Sequence, residues 1–298
     1  MKKLFVLLLL AAQPYLVFAQ SNRAHLAEKI DTVNLNLKAL GEQITVHDKS
    51  DYQKATTLLS WVSNRLEWMA TDYQRRTVKE ILERGGGNCY DLALVYTEIV
   101  KAMNIKTRSI AEINLSRLNP GRQERAEQLV KEKGIRYSAF GARHNDHRWL
   151  EVYDDTSGQW LPVDPTMNVI GVDQWVMARL GFGKRMTIDP AISEDMIAPF
   201  AIFVAGDGKS MMTENRSMYY MVEQFDKVHG HALSRLPSWS KWVASIKSLS
   251  GHAKAVFESK DNLHAYTEQI AELDTIYRNL KTEYLGAQAS AQQVGANP

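Results

Sequence analysis

Apolar positions recur along this chain at two periods, and the change from one to the other marks the architecture to expect. Leu26, Ile30, Val33, Leu37 and Leu40 follow at spacings of four, three, four and three, ahead of Gly41. That is one face of an amphipathic helix with a glycine stop. A second helix is expected from Ser50, which pairs with Gln53 as a capping box, and its apolar face carries Ala55, Leu58, Leu59, Val62 and Leu66. Thr77 with Glu80 repeats the capping signal for a short helix ending near Arg84, and Gly85-Gly86-Gly87 follows. From Asn88 the helical period returns through Leu92, Val95, Ile99 and Met103, with Asn104 as a left-handed stop, so Cys89 falls in the first turn.

Residues 105–115 then read as a strand, and the polar stretch 118–145 as a connection containing a short helix around 123–133. Two further strands, 147–153 and 159–163, flank Asp154-Asp155-Thr156-Ser157-Gly158, a run of turn formers, and so predict a hairpin. Pairing Tyr153 with Gly158 sets His147 opposite Asp164. A slide of two residues keeps both on one face, whereas a one-residue bulge separates them. The other face offers Leu150, Val152, Leu161 and Val163 to a core.

Beyond about residue 189 the pattern turns mainly helical, with segments at 215–228, 239–249 and 252–285. In the last, Leu263, Tyr266, Ile270, Leu273, Tyr277, Leu280 and Tyr284 keep a three-four spacing through three heptads. This coiled-coil-like seam has two candidate partners, a helix of the same chain such as 26–40, or a second copy of the chain. Three heptads is the lower limit for a coiled coil, which favours the first. After Gly286 a disordered tail is expected.

Composition sharpens this picture. The 298 residues, 45% hydrophobic and 23% charged, suffice for one large core or two smaller ones. Lys2 and Lys3, the uncharged run 4–12 and Val17-Phe18-Ala19 have the layout of a secretory signal peptide. The apolar run, broken by Gln13-Pro14, falls short of the roughly 18 residues of a spanning helix. Cleavage after Ala19 removes two lysines and takes the formal charge from +2 to zero, so no attraction to nucleic acid or anionic membrane is expected. The expected organisation is a signal peptide at 1–19, an N-terminal helix within 20–49, a catalytic domain at 50–188, a helical region at 189–285 and a tail at 286–298. The protein is expected to be exported, periplasmic or secreted, without stable membrane insertion.

A single cysteine in an exported chain cannot staple it. Cys89 could be an inert buried thiol, but its neighbours suggest chemistry. At a helix start, unpaired backbone N–H groups and the positive end of the macrodipole favour the thiolate, and the preceding glycines admit close approach. The Cys89 N–H can meet a developing oxyanion. A thiolate also needs a base that turns acid when the leaving group departs, and a third group to orient the imidazole; His147 and Asp164 can serve.

Gly87-Asn88-Cys89-Tyr90-Asp91-Leu92-Ala93-Leu94 with Met103-Asn104-Ile105-Lys106-Thr107-Arg108 resembles the nucleophile helix and following strand of the transglutaminase-like superfamily. His147-Arg148-Trp149-Leu150-Glu151-Val152-Tyr153 and Trp160-Leu161-Pro162-Val163-Asp164-Pro165-Thr166 resemble its histidine and aspartate strands, in the same order. The resemblance implies an α+β fold: a papain-like transglutaminase core with a Cys-bearing helix packed on an antiparallel sheet, here flanked by N- and C-terminal helical segments. It also implies that Cys89 is the nucleophile, His147 the general acid/base and Asp164 its orienting partner, acting on amide or peptide carbonyls through a thioester. Tyr90 and Arg148 are bulky neighbours that could restrict the pocket. Trp68 and Tyr73 are candidates for a second oxyanion donor. No acidic cluster resembles a calcium loop, so no calcium dependence is inferred.

Other readings compete at single positions. His144 and His147 have an H-x-x-H spacing, but on a strand or loop two such imidazoles do not converge, and no metal or other cofactor is expected. His229 and His231 read as surface residues, Asp154 and Asp155 as turn residues. Trp149 and Trp160 could line an acyl groove or cover the Cys89 helix. Three functions stay open: a hydrolase cutting peptide or other amide bonds, favoured because water is abundant outside the cytoplasm; a cross-linking acyltransferase; and a non-catalytic binding module that kept the fold. The expected partner is a protein or peptide substrate, with self-association through the heptads as a further possibility.

Overall fold

Asp31 and Asn36 decide where the first helix among the described residues begins. In the computed structural model, which describes residues 30–69, 74–115, 128, 131–133, 146–182, 198–206, 212–258 and 260–295, the Asp31 carboxylate accepts the backbone N–H groups of Val33 and Asn34. That local turn competes with helix. Asn36 then caps the Ala39 N–H at 3.0 Å, and α1 spans Leu37–Ile44 rather than starting near residue 26. Gly41 lies inside α1 instead of ending it, because a Cβ there would stand 2.3 Å from Met103 Sδ. The expected signal peptide and nearly all of the 118–145 connection lie outside the described residues.

Both expected capping boxes form, Ser50 with Gln53 on α2 (Asp51–Arg65) and Thr77 with Glu80 on α3 (Val78–Arg84). Between these helices β1 (Glu67–Trp68) pairs in parallel with β2 (Gly86–Gly87). Next comes α4 (Cys89–Ala102), which ends where Asn104 takes a φ of 60°.

The remaining strands build one antiparallel sheet, in the order β6-β5-β4-β3-β7-β8. They are β3 (Thr107–Asn114), β4 (His147–Asp154), β5 (Gln159–Asp164), β6 (Val169–Ile170), β7 (Pro199–Ala205) and β8 (Met212–Asn215). The β4–β5 hairpin pairs Tyr153 with Trp160, a slide of two from the pairing of Tyr153 with Gly158. Leu150, Val152 and Val163 duly face a core with Leu58, Leu59, Leu92, Val95 and Ile99 of α2 and α4. A Cys-bearing helix thus packs on an antiparallel sheet, the α+β papain-like arrangement.

The opposite face carries a second, larger core. Ile110 and Trp149 pack there with Trp175 of α5 (Val172–Leu180) and with Tyr220 and Trp242. Apart from α5 and the residues just before it, this layer comes from beyond residue 188, and so do β7 and β8, where the pattern alone reads as helical. Six of the seven β7 residues are buried. A strand covered on both faces shows an unbroken apolar run with no period to read.

A π-helical turn, Tyr219–Gln224, runs into α6 (Phe225–Val228), followed by α7 (Trp239–Phe257) and α8 (Thr267–Gly295). The expected break near residue 250 falls instead between Phe257 and Thr267. The heptad seam packs within the chain, on α7 rather than on α1: Leu273 and Leu280 are fully buried, and Tyr277 meets Trp242 at 5.8 Å between ring centroids. Past Gly286 α8 continues to Gly295 where a tail was expected, in a stretch with Ala287, Ala289 and Ala291, strong helix formers. His229 is buried among Phe182, Phe225 and Tyr284, a correction of its surface reading, whereas His231 is exposed. Among the described residues, no helix is long and apolar enough to cross a membrane.

Candidate active site

Two glycines bring backbone strands against the helix that carries Cys89. A Cβ on Gly86 would lie 2.1 Å from the Glu67 carbonyl oxygen, and one on Gly87 would lie 2.2 Å from Asp91 Oδ2. The Met69 N–H donates to the Gly87 carbonyl at 2.6 Å, so β1 runs alongside the two residues before Asn88. Asn88 is the N-cap of α4: its side chain accepts the Asp91 N–H at 3.1 Å, and Asp91 accepts the Asn88 N–H at 3.2 Å. Arg76 Nη1 donates to the same Asp91 oxygen at 2.9 Å. The first turn is therefore fixed, and Cys89 sits in it, 8% exposed, where the helix end favours a thiolate.

His147 opens β4 at a point fixed from both sides, since Asp146 donates to the Glu112 carbonyl and its carboxylate accepts the Asn114 N–H, each at 2.8 Å. His147 Nε2 stands 2.7 Å from Asp164 Oδ2. The His147 side chain also hydrogen-bonds Cys89. In the observed register Asp164 falls level with Trp149 and reaches along the strand to His147, on the shared face that the slide by two preserves. Asp164, fully buried, also accepts the Thr166 N–H at 3.0 Å, and Ser63 of α2 donates to the next carbonyl, that of Pro165, at 2.8 Å.

Burial alone would lower the His147 pKa, but the charge and hydrogen bond of Asp164, then Cys89, outweigh it and push it up to about 10. Asp164 moves the other way. Its burial favours the neutral acid, yet His147, Arg179 and the Thr166 N–H together hold its pKa below the ordinary carboxylate value. The arrangement suits a thiolate–imidazolium pair oriented by a carboxylate.

The other candidates separate. Trp149 neither lines a groove nor covers α4; it is fully buried in the opposite core, tilted against Trp175 and edge-on to Tyr220, and donates to Glu112 Oε2 at 2.8 Å. Trp160 lies at the far end of β5, against Tyr153 and under the Arg108 guanidinium. Arg148 rests over the Tyr90 ring at 5.9 Å, so the two bulky neighbours pack on each other. Trp68 is held beside Gly87 by the β1–β2 pairing, whereas Tyr73 and His144 lie outside the described residues. Asp154 caps its own turn through Thr156 and Ser157. Sequence reasoning missed Glu112 and Arg179, which are buried behind Asp164 and bonded to each other. Charged residues scattered in an apolar pattern read as surface, and nothing local distinguishes these two.

No curated protein matches the chain. Among solved structures, a candidate cysteine protease from Cytophaga hutchinsonii aligns at 19% identity and TM-score 0.32, covering 48% of this chain and 46% of that one. A candidate protease from Parabacteroides distasonis aligns at 13% and 0.32, covering 48% and 25%. LapG of Legionella pneumophila aligns at 13% and 0.33, covering 72% and 96%. The chain thus matches less than half the length of the first two, and at these TM-scores the functional reading rests on the site itself. The family model that matches is that of the transglutaminase-like superfamily, over residues 38–165, and with Cys89, His147 and Asp164 all inside that span these residues form a transglutaminase-like domain.

Proposed function

We propose that this protein is an exported cysteine hydrolase that cleaves amide or peptide bonds through a thioester acyl-enzyme. The observation that carries the reading is His147 held between Asp164, at 2.7 Å, and the Cys89 side chain at the start of α4. In the first half-reaction the Cys89 thiolate adds to the carbonyl carbon, with the charge on oxygen facing the α4 N-terminus. The imidazolium of His147 then gives its proton to the leaving amine, and the thioester remains. In the second half-reaction neutral His147 takes a proton from water, and the resulting hydroxide attacks the thioester. The carboxylic acid product leaves, and thiolate and imidazolium are restored. Asp164 keeps the imidazole oriented throughout.

Water is favoured as the acceptor because it is abundant outside the cytoplasm and no residue among those described marks a site for an amine. Export rests on Lys2, Lys3 and the apolar run that ends at Val17-Phe18-Ala19. The direct test incubates the mature protein with casein and a labelled primary amine. New amino termini without label are expected; label joined to casein would overturn the hydrolase in favour of acyl transfer. Alkylation of Cys89 by iodoacetamide should be fast in wild type and slow in His147→Ala, and equal, ordinary rates would sink the catalytic reading altogether. Cell fractionation with amino-terminal sequencing should find the chain outside the cytoplasm, starting at Gln20.

A further inference from the structure

Behind Asp164 the site continues in a direction the triad does not require. Arg179, fully buried on α5, places Nη1 3.6 Å from Asp164 Oδ2, while its Nη2 donates to Glu112 Oε1. Glu112 lies beside His147 across the β3–β4 ladder and also accepts Trp149 Nε1. The charged groups facing one another here come from five elements: Cys89 of α4, His147 of β4, Asp164 of β5, Arg179 of α5 and Glu112 of β3. Burial raises the pKa of the Glu112 carboxyl against the pull of Arg179 and His147, and the signs alternate when Glu112 is ionised, Cys89 a thiolate and His147 an imidazolium.

A buried ion pair is a poor stabiliser, since removing two charges from water costs about as much as their attraction returns, and apolar replacements are often neutral or better. A pair kept in the core next to a reactive carboxylate therefore calls for another role. We propose that Arg179 is a positioning residue for the reaction. Its guanidinium holds Asp164 ionised and turned toward His147, and thereby maintains the thiolate–imidazolium pair; Glu112 fixes the guanidinium and balances its charge. This rests on the cysteine-enzyme reading above and adds to it that the catalytic machinery extends past residue 165, beyond the family-matched span.

The experiment is the pH profile of Cys89 alkylation by iodoacetamide in the full chain, with melting temperature measured alongside. The double variant Arg179→Met/Glu112→Gln removes the pair without stranding a buried charge. Its profile should move up by about one pH unit, which means a roughly tenfold slower reaction on the acid limb. Glu112→Gln alone leaves the guanidinium facing Asp164 and should not move the profile upward, and Arg179→Lys should recover part of the shift. If the double variant melts lower but keeps the wild-type profile, Arg179 is only structural and the proposal falls. If instead wild type titrates like an ordinary thiol, near pH 8.5, the catalytic reading itself has failed, which is a separate result.

Discussion

Gly87 and Asp91 are so close that a single added methyl group would collide: the Cβ of an alanine at 87 would stand 2.2 Å from Asp91 Oδ2 and 2.4 Å from Asp91 Cβ. Asp91 cannot retreat cheaply, because it is fully buried and holds both the Asn88 N–H and Arg76. Gly87→Ala must therefore disturb the cap of the helix that presents Cys89. Loss of a cap costs about 0.5–2 kcal/mol and overpacking about 1–3 kcal/mol. The variant should melt several degrees lower, and its Cys89 alkylation should slow by more than the loss of folded protein explains. Wild-type alkylation in a less stable fold would mean that the cap does not tune the thiol.

The raised His147 pKa and the lowered Asp164 pKa set a pH window for stability. A group whose pKa is raised by folding stabilises fully below its unfolded value, here 6.5, and loses that contribution as pH climbs toward about 10. A carboxyl whose pKa is lowered stabilises above its unfolded value, here 3.8, and loses it as pH falls. The stability advantage of wild type over His147→Gln should therefore be largest between about pH 4 and 6.5 and shrink steadily toward pH 10. Denaturant midpoints of the two proteins across that range check it. A gap that widens with rising pH would contradict an imidazolium paired with Asp164.

The hairpin shows why part of the site is legible in sequence. Side chains alternate along a strand, so His147 and Asp164 share a face in either of two registers, and the slide to the pairing of Tyr153 with Trp160 leaves their meeting intact. The Cys89 helix is equally readable, since Asn88, Asp91 and the glycines are local signals. Arg179 is not, because its role depends on α5 folding over the end of β5. β7 is hidden for the opposite reason, being apolar at nearly every position. The start of α1 depends on whether Asp31 bonds its own backbone, a competition that helical periodicity does not register.

Because β7 pairs with β3 in the middle of the sheet, the region after residue 188 is part of the fold that holds the site. Glu151 adds a polar tie: fully buried, it takes Arg108 of β3, Arg216 beyond β8 and the Tyr220 hydroxyl. Glu151→Ala leaves Arg108 and Arg216 with Glu214 alone and takes the acceptor from the buried Tyr220 hydroxyl, and should cost about 1–3 kcal/mol. A fragment ending at residue 188 loses β7, β8 and, from the core around Ile110 and Trp149, Tyr220 and Trp242, and should show no cooperative thermal transition. Circular dichroism melts of both settle it, and a fragment unfolding as sharply as the full chain would show that the transglutaminase-like domain stands alone.

The seam of α8 separates intramolecular packing from self-association. Leu273 and Leu280 are fully buried within one chain, while Glu268, Glu272, Thr275 and Arg278 on other sides of the helix are exposed. An apolar stripe already covered by α7 leaves little for a second copy to bury. Leu273→Ala should then cost about 2–5 kcal/mol, as a buried leucine truncation does, because it opens a cavity in the core that also contains Trp242 and Tyr277. If the seam held two chains together, the melting temperature would climb with protein concentration, since dissociation would accompany unfolding. Melts over a hundredfold range of concentration should superimpose for wild type and for Leu273→Ala, the variant being shifted down by a constant amount. A wild-type transition that rises with concentration, together with a dimer mass in light scattering that Leu273→Ala abolishes, would assign the heptads to a partner chain instead.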